Sequence, residues 1–259
     1  MVQLKRSDSR PIHSLGDWTR PKQPYHWKER RSAMELARAW CNGGEPRCPQ
    51  ELRIALDSHP LTLGARLIEG SPEHVTALPG RGNGRNHDLW VRAETGGAPL
   101  TICVEAKADE SFGDRVGAYL RRAHATNART GAGLRTRALA RIVFQKPVDV
   151  SQEAVSSLRY QLLAAAAGTV LQAVRDRATT AVLVVHEFQS TALDPRKLHT
   201  NDSDLRAFCC ALAGERVALS PGGFVGPWPT LPDPDSGSVV NLLIGKIVTN
   251  VDKDLPRWA

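Results

Sequence analysis

The chain has 259 residues, 41% hydrophobic and 24% charged, which is long and apolar enough to bury a core and unlike a disordered or fibrous composition. The net charge of +7 favours polyanionic partners such as nucleic acid. Five cysteines without a CxxC pair argue against a zinc site or disulfide framework, and no 18-residue apolar run or secretory h-region occurs, so the sequence predicts a cytoplasmic protein without a membrane span.

Residues 1–31 read as a basic N-terminal arm, in which Lys5, Arg6, Arg10, Arg20, Lys22, Lys28, Arg30 and Arg31 face only Asp8, Asp17 and Glu29. Residues 32–259 read as one domain without internal repeats. A helix is predicted from about Trp27 to Cys41, ended by Gly43-Gly44, and a second begins at Pro49 and turns Leu52, Ala55 and Leu56 inward. "LTLGARLIEG" (61–70) and "HVTAL" (74–78) read as strands. "LPGRGNGRN" (78–86) is a Gly-rich loop whose Arg81 and Arg85 are candidate phosphate contacts, although its spacing matches neither the P-loop nor the dinucleotide fingerprint.

Two strands follow, "HDLWVRAE" (87–94) and "LTICVEAKA" (100–108), then a helix within 112–127. The segment 151–176 is apolar around most of a helical circumference and therefore reads as a buried helix. "TAVLVVHEF" (180–188) has the continuous apolar character of an interior strand, and His186 within it reads as a core histidine. A capped helix ending at Gly214, a Pro/Gly-rich stretch over 220–237 and a last strand over 239–250 complete the chain.

The hairpin carries the chemistry. Side chains alternate faces along a strand, so Leu89, Val91 and Ala93 share one face while Asp88, Trp90 and Arg92 share the other. In the second strand Ile102, Val104 and Ala106 oppose Thr101, Cys103, Glu105 and Lys107. If Gly96-Gly97 forms a two-residue turn, Asp88 lies opposite Glu105 with Cβ atoms about 4.5–5.5 Å apart, whereas a longer loop permitted by Pro99 would slip the pairing by one or two residues. Two like charges at that distance repel unless a cation lies between them, and Mg²⁺ suits two carboxylates completed by water and phosphate. His87, pointing away from Asp88, reads as structural.

An acidic residue on one strand followed by Glu-x-Lys on the next, Asp88 and "EAK" (105–107), resembles the PD-(D/E)xK nuclease superfamily, with His87 where the motif has Pro. The order of elements from the helix at 49–58 to the strand at 181–188 is similar to that superfamily's αβββαβ core and spans about residues 49–190. "EAKADESFG" followed by "LRYQLL" is similar to a bacterial group within it. The resemblance implies an α/β (α+β) mixed sheet with a restriction-endonuclease-like core, helical additions and a C-terminal strand.

For function it implies a Mg²⁺- or Mn²⁺-dependent endonuclease hydrolysing DNA, with RNA left open, in restriction, repair or phage defence. Asp88, Glu105 and the Ala106 carbonyl would hold the metal, Lys107 would stabilise charge or orient water, and Gln161 would face the site from the helix. Glu69, ahead of Glu73, is the candidate third carboxylate, and Arg159 joins Arg81 and Arg85 as a candidate nucleic-acid contact. Cutting both strands with one site per chain favours a homodimer. Removing the Glu105 charge is expected to relieve repulsion and leave stability intact. The competing reading is a non-catalytic nucleic-acid-binding or protein-interaction module with a degenerate nuclease fold.

Overall fold

The computed structural model describes residues 2–20, 27–145, 149–230 and 239–252; Lys22 of the basic segment and 231–238 of the Pro/Gly-rich stretch lie outside them. The strands are β1 (Gln3–Leu4), β2 (Arg66–Thr76), β3 (Arg85–Thr95), β4 (Ala98–Lys107), β5 (Thr180–Gln189), β6 (Gly223–Thr230) and β7 (Val240–Asn250). The α-helices are α1 (Ser32–Cys41), α2 (Gln50–Asp57), α3 (Val116–Thr126), α4 (Ala132–Phe144), α5 (Glu153–Ser156), α6 (Tyr160–Arg175) and α7 (Pro195–Ala213).

One mixed sheet runs in the order β1-β2-β3-β4-β5-β7-β6. β2, β3 and β4 form an antiparallel meander, β4, β5 and β7 are parallel, and β6 returns antiparallel on β7. This is the mixed α/β architecture expected from the sequence, with the hairpin beside the interior strand β5. Helices cover both faces. α1 and α2 pack with Leu89, Val91, Ile102 and Val104 on one side, and α4, α6 and α7 pack with Leu183, Val185 and Ile244 on the other. Burial on both faces explains why β5 is an unbroken apolar run.

Several boundaries differ from the sequence reading, each for a local reason. α1 starts at Ser32 because Arg30 has φ 61, outside helical space. β2 is a single strand that runs through Pro72. The Gly70 carbonyl faces β1, accepting the Lys5 amide at 2.9 Å, so Pro72, two residues on, turns its nitrogen to the same edge after β1 has ended. The buried helix is divided: 157–159 leave the helical path, the Tyr160 amide donates to the Asp114 carbonyl, and α6 begins there. α7 begins earlier than expected, at Pro195, where Asp194 caps the Arg196 amide at 2.9 Å. α4 and β6 are additions to the expected set; β6 carries Pro227 on the sheet edge, where a missing donor is tolerated.

The described part of the N-terminal segment is docked on the sheet. β1 adds to β2 in parallel, and Val2, Leu4, Ile12 and Trp18 are buried. Several of its charges find local partners: Lys5 lies 3.8 Å from Glu69, Arg10 3.2 Å from Asp8 and Arg31 2.7 Å from Asp109. All five cysteines are free thiols, and among the described residues no helix is long and apolar enough to cross a membrane.

His186 is a buried core histidine, as its position in β5 suggests, with Nε2 2.9 Å from Thr249 Oγ1. Burial pushes its pKa from 6.5 down to about 3. Between those values the unfolded chain binds a proton that the folded chain refuses, so stability falls as pH falls through that window. From pH 6.5 to about pH 5 this one group costs roughly 2 kcal/mol. His186→Gln should flatten that slope in urea unfolding measured at the two pH values. An identical pH dependence in both proteins would reject the assignment.

Candidate active site

Gly96 and Gly97 have φ of 55 and 84, the conformation of a two-residue hairpin turn that L side chains resist. The ladder runs from Thr95–Ala98 to Leu89–Val104, so the next step brings Asp88 level with Glu105. At that point the backbone pairing gives way to a side chain. Asp88 Oδ2 accepts the Ala106 amide hydrogen at 2.7 Å, tying the end of β3 to the end of β4.

Glu105 is only 2% exposed and its carboxylate is saturated with donors. Oε1 accepts from Lys107 Nζ at 2.8 Å and from the Gln161 side-chain amide, while Oε2 is held by the Arg85 guanidinium. The like-charge expectation therefore needs correction. The cations that offset Asp88 and Glu105 are Lys107 and Arg85, three residues before Asp88 on the same strand. Lys107, 5% exposed with its ammonium 5.1 Å from the Phe112 ring centroid, has its pKa pushed down to about 8, chiefly by burial. Burial likewise raises the Asp88 carboxyl above its ordinary range and lowers Arg85, with Lys107 and Arg85 pulling Asp88 back.

Helix α6 sets this geometry. Gln172 accepts from Thr76 at 2.8 Å and donates to Asp176 at 2.9 Å, and Asp176 takes the Trp90 indole N–H at 2.8 Å and the Thr101 hydroxyl at 2.6 Å. The network clamps the C-terminal half of α6 across β2, β3 and β4. Its N-terminal turn then carries Gln161 over Glu105. At mid-helix Gly168 leaves room for Arg85 and His87: a Cβ there would lie 3.0 Å from Arg85 Cγ and 3.0 Å from His87 Nε2. His87 is buried against this glycine, and burial with Arg85 nearby holds its pKa well below 6.5.

Asp88, Ala106, Lys107 and Gln161 thus gather around Glu105, but Glu69 does not. It pairs with Arg92, 2.7 Å away, and stands opposite that residue, four positions along β3 from Asp88, or about 13 Å at strand rise. Glu73 is the carboxylate of β2 level with Asp88; it has φ 54 and accepts from Asn86 at 2.6 Å. Arg159 is engaged by Asp204 at 2.7 Å, so its charge is largely answered within the chain. Asp109 pairs with Arg31, and Glu110 caps the Ala108 amide at 2.8 Å.

Among the described residues no group of three or more His, Cys, Asp or Glu side chains is arranged to hold a metal ion. The donors that fit one are two carboxylates and a carbonyl. In extended backbone the N–H and C=O of a residue project to the same edge, so the Ala106 carbonyl lies on the edge where its amide meets Asp88. Two carboxylates with waters and phosphate is how Mg²⁺ is commonly bound, so the set fits a hard cation once Arg85 releases Glu105.

Arg85 also lines a cleft of about 1490 Å³ between the Gly-rich loop, α4 and the start of α6. Arg81, Arg129, Arg135, Tyr119 and Tyr160 line it too; Arg81, Arg85 and Tyr160 stood out in the sequence, whereas Tyr119, Arg129 and Arg135 did not. The unassigned 132–144 helix hid Arg135. The apolar spacing of Ala132, Leu139, Ala140 and Val143 was the available signal.

A family model described as a domain of unknown function (DUF6946) matches residues 11–251, and the chain belongs to that family. No curated protein and no solved structure matches it.

Two substitutions probe this geometry. Gly168→Ala gains about 1 kcal/mol of helix propensity but forces a contact against Arg85 and His87, and overpacking of that kind costs about 1–3 kcal/mol. A net loss in stability is expected; a gain would show that the packing gives way freely. Glu105→Gln leaves Arg85 and Lys107 buried without their shared carboxylate, so it should destabilise by about 3 kcal/mol, reversing the expectation from repulsion. Combining it with Arg85→Met should cost less than the sum of the two changes in urea unfolding, whereas additivity would mean the pair is not coupled.

Proposed function

We propose that the chain is a metal-dependent phosphodiesterase that hydrolyses nucleic acid, DNA in the first instance, with Asp88, Glu105 and Lys107 as its reacting centre. The observation that carries this reading is the convergence of Gln161, Lys107 and Arg85 on Glu105, level with Asp88 on the adjoining strand. An acid–acid–lysine set of this kind, on two paired strands, is what the resemblance to PD-(D/E)xK nucleases implies.

Each residue has a physical task. Asp88, Glu105 and the Ala106 carbonyl are the oxygen ligands for Mg²⁺ or Mn²⁺, which when bound would acidify a water and neutralise phosphate charge. Lys107 shares the strand face of Glu105 and places its ammonium where negative charge builds on the phosphoryl oxygens. Gln161 holds Glu105 Oε1 and so fixes the direction of that carboxylate. Arg85 neutralises Glu105 until substrate phosphate draws it away. A water oxygen forms the new bond to phosphorus as the bond to the leaving oxygen of the sugar breaks.

The buried Arg85–Glu105 pair also supports a second reading, a nucleic-acid-binding module whose charge cluster is purely structural. Restriction, repair or phage defence is the setting the resemblance supplies, with a homodimer as the assembly it favours.

Cleavage of labelled DNA with Mg²⁺ or Mn²⁺ and its loss with a chelator are expected, and Lys107→Ala should lower the rate by at least about a hundredfold. Calorimetry should show Mg²⁺ raising the melting temperature of the wild type and raising it less in Asp88→Asn. No cleavage together with equal metal responses in both proteins would leave the binding module as the remaining reading.

A further inference from the structure

We infer that the cleft beside Arg85 is a channel for single-stranded nucleic acid, and that Arg85 is where the strand meets the reacting centre. The inference rests on the phosphodiesterase reading and adds the substrate class to it.

Charge is the first argument. Arg81, Arg129 and Arg135 line the cleft, and no carboxylate among the described residues forms an ion pair with any of them. Among the described residues Glu73 is the one carboxylate in the lining, and it accepts from Asn86 at 2.6 Å. A cluster left unpaired on a concave surface is the electrostatic footprint of a phosphate backbone. Arg135 also shapes the wall by donating to the Arg81 and Asn83 carbonyls, which pins the Gly-rich loop.

Shape is the second. At about 1490 Å³ the cleft exceeds the roughly 300–1,000 Å³ of a small-molecule pocket, yet it is a recess and not a flat face. Arg85, which holds the buried Glu105, is among its lining residues. A duplex presents its phosphates on a stiff convex surface that fits a recess poorly, whereas a single strand can bend into it. Tyr119 and Tyr160 line the same recess, stacked with ring centroids 3.8 Å apart, and offer a base-stacking platform of the kind single-strand binders use.

Arg85 joins the two regions. Its guanidinium holds Glu105, while its Nε is buried without a hydrogen-bond partner, so this cation is only partly satisfied where it is. A phosphate arriving along the cleft offers it a second anion. Exchange of Arg85 from carboxylate to phosphate frees Glu105 and seats the strand in one movement.

The test is binding by fluorescence anisotropy, in chelator so that nothing is cut, using a labelled oligo-dT, the matching oligo-U and a blunt DNA duplex. The full-length wild type should bind at least one single strand about tenfold more tightly than the duplex, and the oligo-dT to oligo-U ratio reports which sugar is preferred. Arg81→Ala/Arg129→Ala removes two exposed, unpaired side chains and should fold normally. It should weaken single-strand binding about tenfold and lower the slope of log affinity against log salt by about 1.4. Equal or tighter duplex binding, or an unchanged salt slope in the variant, overturns the channel even if metal-dependent cleavage is found. Single-strand binding that depends on these arginines, without cleavage in Mg²⁺ or Mn²⁺, keeps the channel and rejects the phosphodiesterase.

Discussion

A carboxylate buried within a sheet costs several kcal/mol unless charge and hydrogen bonds answer it, and much of this fold is arranged to answer Glu105. Lys107 comes from the same strand, Arg85 from the neighbouring one and Gln161 from the helix above. These positions are not independent. The Gly96-Gly97 turn fixes the register that brings β3 alongside, and the break at 157–159 starts α6 one residue before Gln161. The Gln172–Asp176–Trp90 network keeps the helix from sliding along the strands. Loss of any of these supports would leave a charge in the core without a partner.

Two carboxylates and two cations cancel within the cluster, and that balance bears on function. With Lys107 and Arg85 in place, the two acids are held at small electrostatic cost. Under the phosphodiesterase reading, metal and substrate would enter by exchange with cations already present. A second buried pair, Glu187–Lys246 at 3.2 Å with Asp202 3.1 Å from the same lysine, lies on β5 and β7 beyond the cluster. The parallel half of the sheet therefore solves the same problem twice, with pairs that close on themselves.

Much of this was legible in the sequence because it depends on period and count. The alternation of 89–94 and 100–107 gave the strand faces, and a two-residue turn at the paired glycines gave the register. What was not legible depends on reach. Nothing in the spacing says that Arg85 extends past Asp88 to Glu105, since its guanidinium acts several ångströms from its own place in the strand. Glu69 was misjudged for a related reason: its nearness to the strand end suggested the metal, but the irregularity between Leu67 and Glu69 and the cross-strand Arg92 decide its company. The basic N-terminal segment hid its apolar residues Val2, Leu4, Ile12 and Trp18 among charges, so a docked edge strand read as an arm.

The contrast between the cluster and the cleft separates two kinds of electrostatics in one molecule. Inside, the charges are buried, paired and little affected by ionic strength. Outside, Arg81 and Arg129 are exposed and screened by salt, so they contribute little to the fold, and under the channel proposal their part would be encounter and retention of a polyanion. Arg85 belongs to both regions, pairing with Glu105 inside and lining the cleft outside. The net charge of +7 is thus less informative than its distribution: Arg81, Arg129 and Arg135 line one cleft without ion pairs among the described residues, while the charge of Glu105 is neutralised within the sheet.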